Sequence, residues 1–63
     1  MALEWKDKPV KYLRDTVVDQ LQWNLANNHL EIDEFEQRVH IALSTQSKAE
    51  LASLTADLPT KND

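Results

Sequence analysis

The sequence predicts an all-α domain: a long first helix and a second helix packed as an antiparallel hairpin, closed by a short third helix. Three observations predict it. Apolar residues recur at three- and four-residue spacing in three separate segments, as amphipathic helices require. A tight asparagine turn and a serine capping box divide those segments. Finally, 63 residues with no cysteine admit neither a disulfide nor a thiolate zinc site, and a chain this short buries only about 60% of its unfolded surface. Three helices sharing one apolar core are what remains. The chain is read as a single domain over 1–63, with residues 1–8 and 60–63 frayed.

Asp7 is a capping residue type and Pro9 suits a first helical turn, so helix 1 is placed from about Pro9 to about Ala26. Val10, Leu13, Val17, Leu21 and Leu25 form its apolar face, and Val18 widens it. The chain contains no glycine. Where a helix end needs a left-handed residue, asparagine is the best substitute. Asn28 is therefore expected to be left-handed, with Asn27 the last half-helical residue.

Helix 2 follows almost at once. Ile32, Phe35, Val39, Ala42 and Leu43 sit at helical spacing and are expected to form one buried stripe. Phe35 is placed at its centre, meeting Leu21 and Leu54, and Leu30 packs back across the turn. Asp33, Glu34 and Glu36 complement the positive end of the helix dipole. Helix 3 begins with the capping box Ser47-Lys48-Ala49-Glu50, with Ser47 as N-cap and Glu50 reaching back. Leu51, Leu54 and Leu58 are its core face, and Pro59 stops it.

The net charge is −4, and it sits wholly in residues 31–63, since the charges of residues 1–30 cancel. Phosphate backbones and anionic membranes repel such a surface. No apolar run is long enough to span a bilayer, and "MALEW" leads straight into charges rather than a signal peptide. A cytoplasmic location is the expectation.

Candidate chemistry is sparse. His40 and Glu36 are four apart on one helix face, near Asp33 and His29, but no third metal ligand has fixed spacing. Both histidines are read as solvated. A calcium loop fails because Leu30 and Ile32 stand where oxygen ligands are needed and no glycine makes the turn. As a DNA-recognition helix, helix 2 would meet phosphates acid-first, through Asp33, Glu34 and Glu36. Ser44, Ser47 and Ser53 are cap and surface residues, with no cleft to make one a nucleophile. The apolar residues are too few to enclose a ligand cavity as well as a core. No enzyme activity and no cofactor or metal is expected.

Arg38 is read as architectural: it lies four residues after Glu34, the good orientation for an ion pair, and within reach of Asp57 or the last carbonyls of helix 3. The outward side of helix 1 is more suggestive. At about 100° per residue, Tyr12 and Trp23 fall together, nearly opposite the core face. Ile41 likewise points away from the helix 2 stripe. Single exposed apolar residues are common, and Trp5 folding back over one of them is the plain alternative. Aromatic residues are nonetheless enriched at interface hot spots, so Tyr12, Trp23 and Ile41 are the candidate interaction surface.

The order Val17-Val18, Leu21, "NHLEIDEF", Arg38, Ala42-Leu43, "SKAEL" and Asp57-Leu58-Pro59 resembles, without a gap, the SHOCT-like bacterial domain of unknown function. That domain stands at the start of many membrane-anchored proteins and of LiaF-like cell-wall stress-response proteins. Asn28 stands for the family's turn glycine, His29 for its arginine, Glu31 for its N-cap threonine, and Trp23 for a polar residue. The resemblance implies an all-helical interaction module, with a membrane segment following in a longer chain, and no catalytic residue.

The function expected is a non-enzymatic protein–protein interaction or self-association module, a regulatory or assembly domain of a bacterial protein. The cytoplasm, or the inner face of a membrane, is its expected setting. The alternative is a small nucleic-acid-binding regulator, which salt-dependent binding to a duplex would reveal.

Overall fold

The computed structural model describes residues 7–59. They form α1 (Val10–Ala26), α2 (Ile32–Ser44) and α3 (Lys48–Ser53). The terminal fraying expected of 1–6 and 60–63, and any contact of Trp5, lie outside the described residues. α1 is the hub: both other helices pack on it, and α2 and α3 touch each other least. The result is flat, with extents of 30 × 27 × 16 Å.

α1 starts one residue later than its proline suggested. Pro9 is the N-cap, in extended conformation and with no side-chain cap bond, and its carbonyl accepts from Leu13 N–H at 3.2 Å. The other end is a complete Schellman motif. Asn27 is the C-cap and Asn28 is left-handed at φ 65°. Asn28 N–H donates to the Leu25 carbonyl at 3.2 Å and His29 N–H to the Asn24 carbonyl at 2.8 Å. These are the two bonds that define the motif, and a side-chain contact across the turn often accompanies them. Here the rings of Trp23 and His29 supply it, with centroids 5.6 Å apart.

The core consists of Leu13, Val17, Leu21, Leu30, Ala42, Leu51 and Leu54. Leu30 packs as expected across the turn. The α2 stripe does not. Only Ala42 is fully buried, Phe35 and Val39 are half-buried, and Ile32 and Leu43 are 52% and 63% exposed. Ile41 also differs from the sequence reading, for it is half-buried and packs on the core. The physical reason is common to these differences. α2 leans on α1 and α3 through the arc that carries Ala42, so one edge of the expected stripe is left uncovered, while Ile41 is drawn in on the other edge.

α3 is shorter than its leucine pattern. It gives way after Ser53 to successive turns, in which Leu54, Ala56 and Leu58 N–H donate to Leu51, Ser53 and Thr55 carbonyls. Its cap is partly as expected: Glu50 N–H donates to Ser47 Oγ at 3.1 Å. The reciprocal arm runs through Thr45, whose Oγ1 accepts from Ser47 N–H at 3.0 Å and donates to the Glu50 carboxylate.

Two predictions follow from this packing. Asn28→Gly should be neutral or stabilising, whereas Asn28→Val should cost about 1 kcal/mol or more, because a β-branched side chain opposes the left-handed conformation. Equal melting temperatures for the two variants would contradict the turn assignment. In the core, Leu21 is fully enclosed and Leu21→Ala should cost about 2–5 kcal/mol. Phe35→Ala should cost less than Leu21→Ala, because Phe35 is already half-solvated. Thermal melts rank the two, and the reverse order would place Phe35 at the centre after all.

Candidate functional site

The polar interior is built from three side chains that bridge helix ends. Arg38, on α2, is the most connected. Its Nη1 donates to the Leu54 carbonyl at 2.7 Å and to Asp57 Oδ1 at 2.9 Å, while Nη2 donates to Asp57 Oδ2 at 3.1 Å. The Glu34 carboxylate lies 3.7 Å away. The sequence reading of Arg38 as architectural holds in both its parts, for the fork takes the carboxylate and the carbonyl together. A planar guanidinium suits this bidentate geometry.

Arg14 and Asn24 were not singled out from the sequence. Arg14, on α1, donates from Nε to the Ala42 carbonyl at 2.9 Å and from Nη2 to the Thr45 carbonyl at 2.7 Å. It thereby caps the C-terminal end of α2, where a cation is favoured by the helix dipole. Asn24 is fully buried. Its Nδ2 donates to the Gln20 carbonyl at 2.8 Å and to the Pro59 carbonyl at 3.1 Å, tying the chain beyond α3 back to α1. Its Oδ1 is buried with no hydrogen-bond partner. A signal for Asn24 did exist: three residues after Leu21 and seven after Val17, it falls inside the apolar face of α1, and a buried amide must find partners. Arg14 had no comparable signal, since its partners are carbonyls 28 and 31 residues away.

The candidate surface residues lie on different parts of the molecule. Tyr12 is 44% exposed, with the Lys8 ammonium 5.3 Å from its ring centroid. Trp23, about three turns along the same face, is half-buried and carries the His29 ring. Ile41 sits apart from both, against the core. Among the described residues no group of three His, Cys, Asp or Glu side chains is placed to hold a metal ion. No helix among them is long and apolar enough to cross a membrane.

The architecture defines a class, a three-helix all-α module closed by side chains that reach from one helix to the end of another. A family model described as DUF1707 SHOCT-like domain matches residues 13–59, and the chain belongs to that family of unknown function. The match runs from the first fully buried leucine to the proline whose carbonyl Asn24 holds. No curated protein and no solved structure matches the chain.

The Arg38–Asp57 pair has a pH signature. The hydrogen bonds from Arg38 hold the Asp57 carboxyl below the usual aspartate range, reinforced by a backbone hydrogen bond, and Asp57 in turn raises Arg38. A carboxyl depressed in the folded state contributes stability that is fully present above its unfolded value, about pH 4. That stability is lost as pH falls through the lower folded value. Asp57→Asn should therefore melt below the parent by a constant margin from pH 7 to pH 5, and the margin should shrink below about pH 4. A margin that persists undiminished to the acid end of the titration would rule out the ion pair as its source.

Proposed function

We propose that this domain is a non-enzymatic protein–protein interaction or self-association module, serving a regulatory or assembly role in the cytoplasm or at the inner face of a membrane. The observation that carries it is the exposure of large apolar side chains in a chain with few to spare: Tyr12 at 44%, Ile32 at 52% and Leu43 at 63%. Apolar surface left in water by so small a core is the kind of surface that partners cover. The Tyr12–Trp23 face of α1 is the surface we propose first, because amphipathic aromatics bring large contact area at small entropic cost. The exposed acids Asp33, Glu34 and Glu36 at the start of α2 weigh against the nucleic-acid alternative.

The test is site-specific photocrosslinking in the producing cell. A benzophenone side chain at position 12 should give a discrete adduct, either with a second copy or with another protein. Trp23→Ala should weaken that adduct while the domain remains folded. The absence of any discrete adduct, together with a strict monomer in sedimentation across concentration, would overturn the reading.

A further inference from the structure

The uncovered edge of α2 belongs to a continuous apolar seam. On α2, Phe35 and Val39 are half-buried while Ile32 and Leu43 are exposed, and at 100° per residue the four fall within about 80° of helix surface. On α1, the fully enclosed Leu13, Leu21 and Asn24 and the buried Val17 occupy a similar arc. Val18 and Leu25, both half-buried, lie about 40–60° beyond Leu21. They fall on the side of Arg14, whose guanidinium runs to the end of α2. Asn24, which holds the chain beyond α3, marks the other edge of that arc. The α1–α2 junction is therefore covered by α3 on one side only.

The rim of the seam carries the information about its occupant. Beyond Leu43 in helical phase come Glu36, His40 and Asp33, all exposed, so two carboxylates dominate that rim. On the α1 side, Lys11 is paired with Asp15 at 3.4 Å, so that rim is neutral. Electrostatic complementarity then calls for an apolar stripe bordered by cations. A second copy is a poor match. It offers no cationic rim: a two-fold contact through this face would set the acidic rim against either its own counterpart or the neutral Lys11–Asp15 rim, on two chains of net charge −4 each.

Resting on the reading of the domain as an interaction module, we propose that the open seam formed by Val18, Leu25, Ile32, Phe35, Val39 and Leu43 docks an amphipathic helix whose apolar stripe is bordered by basic residues. The mode is helix-in-groove, with anchors at three- and four-residue spacing.

The experiment titrates the isotope-labelled full chain with two synthetic helices that share a leucine stripe, one bordered by lysines and the other by glutamates. The basic helix should shift the backbone amides of residues 32–43 and of Val18 and Leu25, with an affinity that falls as salt rises. Leu43→Ser and Glu36→Lys should each weaken it at least tenfold. Tyr12→Ser should leave it unchanged. Leu43 and Glu36 are exposed, so both variants should keep the parent amide spectrum, and this is recorded first. Equal binding of the two helices, or no shifts along the seam, would overturn the proposal. So would a dimer in sedimentation that Leu43→Ser abolishes, which would make a second copy the occupant. If the seam fails while the position 12 adduct forms, the interaction reading survives and only this surface is lost.

Discussion

Arg38 ties the end of α3 to α2. α2 and α3 have little contact of their own, and α3 is too short to persist alone, since isolated helices below roughly 12–15 residues are marginal in water. With its side chain only 19% exposed, the Arg38 guanidinium meets a helix-end carbonyl and a carboxylate at once. A charged hydrogen bond to an otherwise unpaired carbonyl contributes more than a neutral one. Arg14 does for the end of α2 what Arg38 does for the end of α3, and Asn24 extends the scheme to Pro59. In a chain with neither disulfide nor glycine, these bonds secure the ends of α2 and α3. The leucines then have a defined place to pack.

Much of this was legible in the residues themselves. Asn27-Asn28 announced its turn because a glycine-free chain has few ways to turn left-handed. Ser47 and Glu50 announced a helix start by spacing alone, and the Arg38–Asp57 pairing followed from charge and reach. What misled was the assumption that helical spacing means burial. Ile32 and Leu43 share the phase of Val39, yet the core is too small and too flat to cover the whole stripe. Periodicity shows which side of a helix is apolar, whereas the placement of the neighbouring helices decides how much of that side is covered. Ile41 shows the converse, an apolar residue off the stripe that packs against the core.

The candidate surface was legible only in part. Tyr12 is exposed as the helical phase of α1 requires. Trp23 shares that phase, but the same residue also closes the Schellman turn through His29, a contact visible only once the turn geometry is known. The seam along α2 was hidden for the opposite reason, since its members looked like core. The family match covers the helices and their ties together, so it accounts for the scaffold. Tyr12 lies just outside the matched residues, whereas Leu43 and the acids of α2 lie within them.

The central claim is that long side chains reaching helix-end carbonyls, more than mutual apolar contact, hold α3 in place. Native-state hydrogen exchange of Arg38→Met tests it most directly, because it reports opening segment by segment. The account predicts that the amides of Leu51 and Leu54 lose protection by at least tenfold relative to those of Val17 and Leu21, since α3 would detach while the α1–α2 hairpin persists. Unchanged protection at Leu51 and Leu54 would contradict it and assign the closure of the fold to the leucines alone.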